Sequence, residues 1–325
     1  MPMKKTIYRI IFSEREKAEL QEQTVSLPLA EDQILAKTLY SWISSGTETT
    51  GVYSGNLPSA KYPLCPGYSS VSQVVEIGPG VKSLKPGDIV IGGNHSSYQC
   101  MKESRFNRIA PDIDCRNAVF IHMFKIPLPA FVRTQIRGPE KCVIAGLGLI
   151  GLCAAQLARM FGYEVYGFDI NSKRCALAEH YGIQTVSSIS TEKFGQSVGL
   201  GIDCSGHEKA VMDLSKVIRR FGEIALVGVP WKRNTEIYAQ ELLHSIFYNF
   251  LTIRTGWEMD MPDHPEIYNN KNFELLTMRT IQWGFLKINP EDYETVTPEN
   301  PQNIYQNILH GKMTGLGYML DWTKF

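Results

Sequence analysis

The chain has 325 residues, of which 43% are hydrophobic and 20% charged, and its 33 lysines and arginines balance 33 aspartates and glutamates. This length suits about two domains with apolar cores, and the balanced charge gives no electrostatic basis for binding nucleic acid or an anionic membrane. Seven scattered cysteines without a CxxC pair argue against a disulfide framework or a clustered structural zinc site. They favour a reducing, cytoplasmic location.

The first 110 residues predict short strands separated by turns. The apolar run near the N-terminus is broken by Arg9 and lacks a small-residue cleavage site, so we expect a first strand there and no signal peptide. Further strands are predicted at 33–39, 70–77 and 88–92, with turn signals at Gly78-Pro79-Gly80 and Lys85-Pro86-Gly87-Asp88. This spacing is typical of a small twisted β-barrel.

From residue 142 the pattern changes to alternating strands and helices. Strands are predicted at 142–146, 164–169, 200–204, 223–229 and 251–255, and helices at 149–161, 172–181, 208–221 and 240–250. The alternation predicts an α/β domain with a parallel sheet covered on both faces. The last 70 residues predict helices at 272–283 and 301–310 and a closing strand near 316–322. The apolar region 142–158 contains glycines and is too short to span a bilayer.

A glycine-rich hexamer lies between the first strand and helix of this α/β region. The residues from Gly146 to Gly151 match G-x-G-x-x-G, with Gly148 between, in the strand–turn–helix context that the motif requires. The glycines permit a tight turn, close approach of a pyrophosphate and close helix–strand packing. The backbone N–H groups of Leu149 and Ile150 then face the phosphates at the helix N-terminus. The motif predicts a dinucleotide site.

An acidic residue indicates which dinucleotide is bound. Asp169 ends the next predicted strand, where its carboxylate can accept hydrogen bonds from the adenosine ribose and would repel a 2′-phosphate, so NAD is favoured over NADP. Lys173 and Arg174 follow closely and could bind that phosphate. The alternative, which we prefer, is that both are solvated helix residues.

Several of these motifs together resemble the medium-chain dehydrogenase/reductase superfamily of alcohol and sorbitol dehydrogenases. The resemblance rests on Pro66-Gly67-Tyr68, Gly78-Pro79-Gly80-Val81, Pro86-Gly87-Asp88-Ile89-Val90 and the glycine hexamer. It implies a GroES-like β-barrel catalytic domain (1–120 and 257–325) split around a Rossmann domain (121–256). It also implies an active site in the cleft between them and a homodimer or homotetramer.

The chain departs from the zinc-dependent members of this family. Those members carry a Cys-Gly-Thr/Ser-Asp stretch, a Gly-His-Glu stretch and a third ligand before the Rossmann domain. Here Ser45-Gly46-Thr47-Glu48, Gly67-Tyr68-Ser69 and His122 stand at these places. Serine and tyrosine are poor zinc ligands, so no metal is expected. The variants resemble a zinc-less branch that includes hydroxyethyl-bacteriochlorophyllide dehydrogenase, which implies a biosynthetic enzyme and a large secondary-alcohol substrate.

Three residues are candidates for the proton transfer that zinc would otherwise assist. Tyr68 could exchange a proton if a cation such as Lys125 lowers its pKa, or it could fill the volume that the metal leaves. His122 titrates near neutrality, or it is a core residue. Thr47 matches a proton-relaying hydroxyl, or it caps a turn. Glu48 is expected to find a structural partner in the Rossmann domain.

The resemblance also implies further residues around the cofactor and the substrate. Ser205 and Gly228 follow strands whose ends line the cofactor cleft, and Gly256 follows the last strand near the nicotinamide. Tyr53, Trp231 and Trp257 are expected either to wall a pocket for a bulky substrate or to pack in the core. His95 lies in a loop-like stretch that could reach the cleft.

The sequence therefore predicts a zinc-independent, NAD-dependent oxidoreductase that acts on a secondary alcohol or its ketone. One alternative is an enoyl or quinone reductase, which usually prefers NADPH. Another is a protein that binds the nucleotide without redox turnover. The expected partner is a small-molecule substrate, with neither nucleic acid nor membrane.

Overall fold

The computed structural model describes residues 3–260 and 270–325, and the chain divides into two compact units. Met1–His122 and Lys287–Phe325 form the split unit, and Met123–Leu286 form the continuous unit. The expected boundaries at 120 and 256 differ from this division, because 257–286 belong to the continuous unit. Ion pairs explain the difference: the buried Lys125 ammonium lies 3.1 Å from the carboxylates of Glu258 and Glu274.

The predicted strands and helices occur in the predicted order, and the structure adds further short elements between them. The strands are β1 (Lys4–Glu14), β2 (Lys17–Ser26), β3 (Gln33–Trp42), β4 (Ser70–Ile77), β5 (Ile89–Ile91), β6 (Tyr98–Lys102), β7 (Asn107–Arg108), β8 (Lys141–Ala145), β9 (Glu164–Phe168), β10 (Gln184–Thr185), β11 (Val198–Asp203), β12 (Ile218–Leu226), β13 (Thr252–Thr255), β14 (Glu294–Val296) and β15 (Tyr318–Asp321). The helices are α1 (Cys115–Ala118), α2 (Phe120–Lys125), α3 (Leu128–Arg133), α4 (Leu149–Met160), α5 (Ser172–His180), α6 (Thr191–Phe194), α7 (Glu208–Val217), α8 (Ala239–Asn249), α9 (Asn270–Gln282) and α10 (Pro301–Leu309). A π-helical segment covers Ser45–Tyr53, and short 3₁₀ turns cover Glu103–Arg105 and Pro290–Asp292.

The split unit is built on a seven-stranded mixed sheet. Its strand order is β14-β15-β3-β4-β5-β7, and β6 also pairs with β3. Strands β1 and β2 form a separate antiparallel hairpin, of which the sequence predicted only the first strand, since Ala18 alone is buried in the polar β2. Phe12 of β1 packs against Tyr53 and Tyr305, with ring centroids 5.2 and 4.8 Å away. The hairpin is thereby tied to the π-helical segment and to α10.

The continuous unit contains the predicted parallel sheet. Its six strands have the order β10-β9-β8-β11-β12-β13, and all neighbours are parallel. Helix α4 packs against β8 and β9, and α7 against β11 and β12. Leu214 of α7 lies in a buried core with Val143 and Ile224. The strand order reverses between β8 and β11. Open α/β sheets bind ligands outside the strand carboxyl ends at such a switch point. The parallel sheet with its packed helices confirms the predicted α/β fold.

Within residues 3–260 and 270–325, no helix combines the length and apolarity needed to cross a bilayer. All seven cysteines are free. Burial raises the pKa of the Cys65 thiol to about 12, and it raises the pKa values of Cys142, Cys153 and Cys204 well above their usual range. These four thiols therefore stay protonated at neutral pH.

Candidate active site

The glycine turn joins β8 to α4 with the backbone geometry that the motif predicts. Gly146 has φ +91°, a left-handed conformation that favours glycine, and its N–H donates to the Phe168 carbonyl at 2.7 Å. Gly151 leaves no room for a side chain, since an added Cβ would lie 1.7 Å from the Gly146 carbonyl oxygen. Helix α4 therefore packs directly against the end of β8.

Gly148, two residues after Gly146, is the open part of the turn. An added Cβ at Gly148 would meet only Arg174 Cζ, at 4.0 Å. Gly148 is also the N-cap of α4, and no described side chain caps this helix end. Helix N-termini bind phosphate through such N–H groups and the helix dipole. The open backbone at Gly148, Leu149 and Ile150 therefore fits the pyrophosphate of a dinucleotide.

Asp169 connects the glycine turn to the end of β9. Its side chain is only 4% exposed. One carboxylate oxygen accepts the Leu147 N–H at 2.8 Å, and the other accepts the Asn171 N–H at 2.8 Å. A carboxylate has about four acceptor positions, so capacity remains for the hydroxyl groups of a ribose. The two backbone amides hold the carboxylate in place before any ligand arrives.

The two cations after Asp169 differ in position. Lys173 is exposed on α5, as the preferred interpretation predicts. Arg174 is half-buried, and its Nη1 lies 3.5 Å from Asp169 Oδ2. Arg174 thus keeps part of its surface in solvent and also contacts Asp169, and its role toward a 2′-phosphate stays a prediction. Ile170 directly follows Asp169 and is 93% exposed. This apolar surface beside Asp169 was not predicted.

The carboxyl ends of neighbouring strands bring three further predicted residues to the same edge. An added Cβ at Gly146 would lie 2.9 Å from Ser205 N, and one at Gly228 would lie 2.8 Å from the same atom. Asp203 accepts hydrogen bonds from the Ser205 N–H and hydroxyl at 2.9 and 2.6 Å, and burial raises the pKa of its carboxyl. Gly256 lies one strand further, where its N–H donates to the Leu226 carbonyl at 2.7 Å.

In the split unit, Thr47 lies at the start of the π-helical segment. Its N–H donates to Ser44 Oγ at 3.3 Å, and the Ser44 N–H donates to Glu48 Oε1 at 2.9 Å. These reciprocal bonds resemble a helix capping box. Thr47 is partly exposed and Ser45 is exposed, so the segment presents hydroxyl groups to solvent.

Tyr68 and His122 lie together in the split unit. Their ring centroids are 4.9 Å apart and the rings are tilted by 51°, and both side chains are partly exposed. Ser69 fixes this arrangement, because its hydroxyl donates to the Val119 carbonyl at 2.7 Å and its carbonyl accepts the Trp42 N–H at 2.9 Å. The entry to β4 is thereby tied to the start of α2.

Two family models match the chain in the order of its units. The alcohol dehydrogenase GroES-like domain matches residues 31–115, and the zinc-binding dehydrogenase domain matches residues 150–266. The chain belongs to the medium-chain dehydrogenase/reductase superfamily. This membership confirms the resemblance, and with it an NAD(P)-dependent oxidoreductase.

The relatives of this chain include two named dehydrogenases. The L-threonine 3-dehydrogenase of Protochlamydia amoebophila is 26% identical over 242 residues, which cover 61% of this chain and 70% of that protein. Alcohol dehydrogenase 1 of Solanum tuberosum is 28% identical over 164 residues, which cover 45% of this chain and 42% of that protein.

Solved structures of the superfamily match nearly the whole chain. Galactitol-1-phosphate dehydrogenase of Escherichia coli superposes with a TM-score of 0.84 at 19% identity, over 97% of this chain and 99% of that one. A Sinorhizobium meliloti protein solved bound to NADP gives a TM-score of 0.81 at 17% identity, over 98% and 99%. At such identities the matches show the fold alone.

The zinc that many members of the superfamily bind does not fit the residues of this chain. A catalytic zinc needs three protein ligands drawn from thiolate, imidazole and carboxylate. The resemblance assigns Ser45, Tyr68 and His122 to the family's ligand positions, and of these three only His122 is a strong donor. Across the described ranges, no three or more His, Cys, Asp or Glu side chains are grouped to hold a metal ion.

Two predictions about buried polar residues are wrong. The partners of Glu48 within the described residues lie in the split unit, where its carboxylate accepts from His95 Nε2 at 2.8 Å and from the Tyr305 hydroxyl at 3.0 Å. His95 is fully buried and does not extend from its loop. The carboxylate and the imidazole satisfy each other inside the core.

Other predicted residues have structural contacts. Lys125 does not face solvent, because it is buried and paired with two glutamates of the continuous unit. Tyr53 is fully buried and its hydroxyl donates to a backbone carbonyl at 2.7 Å, so it packs in the core and does not wall a pocket. Trp231 is half-buried, and Trp257 is 64% exposed.

Proposed function

We propose that this protein is a zinc-independent dehydrogenase/reductase that transfers hydride between NAD(H) and a secondary alcohol or its ketone. The observation that carries the proposal is the tyrosine–histidine pair. Tyr68 and His122 occupy family ligand positions, and their rings lie 4.9 Å apart. A phenol and an imidazole can exchange protons, whereas this donor set is poor for zinc.

The glycine turn and Asp169 support NAD as the cofactor. The nicotinamide, when bound, accepts or donates the hydride. Gly148, Leu149 and Ile150 would hold its pyrophosphate, and the spare acceptor positions of the Asp169 carboxylate suit a free ribose 2′-hydroxyl. A 2′-phosphate would face this carboxylate, although Arg174 at 3.5 Å partly compensates its charge.

The side chains of the split unit supply the proton transfer. Oxidation of a carbinol releases a proton from oxygen as the hydride leaves carbon, and reduction of the ketone takes that proton up. Tyr68 would hold this proton on its phenolic oxygen, with His122 beside it as the group of lower reference pKa. The Thr47 hydroxyl, at the start of the π-helical segment, would offer a further path for the proton to solvent.

The names of the relatives support an alcohol as substrate. An L-threonine 3-dehydrogenase and an alcohol dehydrogenase are among the chain's relatives, and threonine carries a secondary alcohol at carbon 3. A bulky substrate, a biosynthetic role and a homodimer or homotetramer stay predictions from the resemblance to the zinc-less branch.

The test combines metal analysis with turnover. Protein purified without chelator is analysed for zinc and assayed with NADH and NADPH on a panel of ketones and enones, before and after treatment with a strong chelator. We expect substoichiometric zinc, ketone reduction that survives chelation, and a preference for NADH. Stoichiometric zinc whose removal abolishes turnover would overturn the metal-free mechanism.

The same assay separates the other functions. Reduction of enones with NADPH, and of no ketone, would indicate an enoyl or quinone reductase. Tight NADH binding without hydride transfer to any compound would indicate a nucleotide-binding protein without redox turnover. Either result contradicts the proposal.

A further inference from the structure

A chain of hydrogen bonds runs through the core of the split unit, apart from the groups that the proposed proton transfer uses. It joins five side chains from distant parts of the sequence: Ser41, Glu48, His95, Tyr305 and Trp322. None has more than 2% of its surface exposed. Burying polar groups costs free energy unless they are hydrogen-bonded, so this network must satisfy its own members.

The donors and acceptors of the network follow one another without a gap. Glu48 Oε2 lies 2.8 Å from His95 Nε2 and 3.0 Å from the Tyr305 hydroxyl. A carboxylate only accepts, so both neighbours donate to it. On the other side of the ring, His95 Nδ1 lies 2.8 Å from Ser41 Oγ, which accepts the Trp322 indole N–H at 2.9 Å. A neutral imidazole that accepts the Ser41 hydroxyl at Nδ1 gives all five groups a partner.

The carboxylate end of the chain fixes the segment that carries Thr47. The second oxygen of Glu48 accepts the Ser44 N–H at 2.9 Å, and Ser44 Oγ accepts the Thr47 N–H at 3.3 Å. Since Glu48 is bound to His95 through its other oxygen, the imidazole fixes the start of the π-helical segment through one carboxylate.

The imidazole end fixes the segment that carries Tyr68. Gly67, immediately before Tyr68, has φ +98°, and an added Cβ there would lie 2.9 Å from His95 Cδ2. The backbone N–H of His95 donates to the Pro66 carbonyl at 2.9 Å, so the two segments are also joined through the main chain. The backbone at Gly67 thus lies against the His95 ring with no room for a side chain. The position of the ring therefore limits the position of the Tyr68 backbone.

We propose that His95 is the positioning residue of this site, and that it sets Thr47 through Glu48 and Tyr68 through Gly67. The inference rests on the proposed function, in which these two residues serve proton transfer. His95 touches no substrate, since it is fully buried. It takes the place of a metal as the single group to which both segments are anchored.

Two variants test the two nitrogen atoms of the His95 ring separately. His95→Gln places an amide N–H near the position of Nε2 and keeps a donor for Glu48, whereas His95→Asn places its amide near Nδ1 and keeps only the bond to Ser41. We expect His95→Asn to lower kcat about 10²-fold, since a 1 Å misplacement can have that effect. We expect His95→Gln to keep most of the wild-type kcat. The Kd for NADH, measured by fluorescence titration, should not change in either, because the glycine turn belongs to the other unit.

A crystal structure of each variant supplies a readout that does not depend on activity. In His95→Asn the separation of the Tyr68 and His122 rings should depart from 4.9 Å, and in His95→Gln it should not. If His95→Asn fails to fold, Glu48→Asp takes its place, because the shorter carboxylate cannot bridge Ser44 and His95. The matched control is Ile34→Ala, which removes a fully buried side chain from a separate cluster of the same unit.

The outcomes are distinct. An unchanged ring separation in His95→Asn, or an equal loss of kcat in Ile34→Ala at the same melting temperature, would overturn the positioning role. A displaced ring pair, together with wild-type turnover of Tyr68→Phe, would support the positioning role and contradict the proposed function instead.

Discussion

The glycine turn of the continuous unit and the Tyr68 region of the split unit are built in opposite ways. The turn is six consecutive residues, and it requires positions without side chains, because a Cβ at Gly151 would lie 1.7 Å from a carbonyl oxygen. The Tyr68 region instead depends on contacts between side chains. Hydrogen bonds among side chains as distant in sequence as Glu48 and Tyr305 hold it together.

This difference determines how each region fails. A turn that needs empty space is broken by adding a methyl group, and the damage stays local. A network of buried polar groups is broken by removing one donor, which leaves its partner buried and unsatisfied. Added methyl groups therefore test the glycine turn, and deleted hydroxyl groups test the network.

The largest effect is expected from Tyr68→Phe. Removing the phenolic hydroxyl keeps the ring beside His122 and deletes the proposed proton donor, so kcat should fall about 10²–10⁴-fold, the range for general acid–base catalysis. Single-turnover kinetics and an NADH titration should show unchanged cofactor affinity. His122→Ala should also lower turnover far more than cofactor affinity.

Tyr98→Phe on β6 is the control, because it deletes a phenol from the same unit away from this ring pair and should leave kcat unchanged. Wild-type turnover in both Tyr68→Phe and His122→Ala would remove the pair from the chemistry.

The second effect comes from two added methyl groups in the glycine turn. Gly148→Ala meets open space, so the fold should keep its melting temperature while NADH binding weakens about 10²-fold through loss of pyrophosphate contacts. Gly151→Ala meets a carbonyl oxygen and should lower both the melting temperature and NADH affinity. Calorimetry and fluorescence titration measure the two quantities. Unchanged NADH affinity in Gly148→Ala would show that the phosphates bind elsewhere.

The sequence predicted the continuous unit more fully than the split unit. Strand periodicity, the hexamer and the turn at Gly146 are local, so the order of β8, α4 and β9 and the position of Asp169 could be predicted. The contact between Arg174 and Asp169 could not be predicted. A helix pattern does not show that the guanidinium lies 3.5 Å from the carboxylate.

The split unit could be predicted only where the family pattern reached it. Tyr68, His122 and Thr47 were found through their positions in motifs, and the structure does bring the first two together. The bonds of Glu48 and His95 join segments 47 residues apart in sequence. No periodicity or motif marks such a pair, and a buried histidine and a loop histidine look the same in one sequence.

A smaller effect is expected from Asp169→Asn. The amide keeps one acceptor oxygen and loses the negative charge that would repel a 2′-phosphate, so the ratio of kcat/KM with NADH to that with NADPH should fall about tenfold. Steady-state kinetics with both cofactors measure the ratio. Arg174→Ala is the matched control and should move the ratio in the opposite direction, because it removes the only cation that the described residues place within 4 Å of this carboxylate. An unchanged ratio in both variants would contradict the assignment of the ribose site.

The smallest effect on turnover, and a measurable one on stability, is expected from Tyr305→Phe. The Tyr305 hydroxyl donates to the buried carboxylate of Glu48 at 3.0 Å, while that of Tyr53 donates to a neutral backbone carbonyl at 2.7 Å, and the two rings stack 5.3 Å apart. Bonds to charged acceptors stabilise more than neutral ones, so Tyr305→Phe should lower the free energy of unfolding by about 2 kcal/mol and Tyr53→Phe by about 1 kcal/mol. Urea denaturation of both variants measures the difference. Turnover should stay within about twofold of wild type in both, because Glu48 keeps its bond to His95 and the anchor of Thr47 survives. Equal losses of stability would contradict the stronger contribution of the bond to the buried carboxylate.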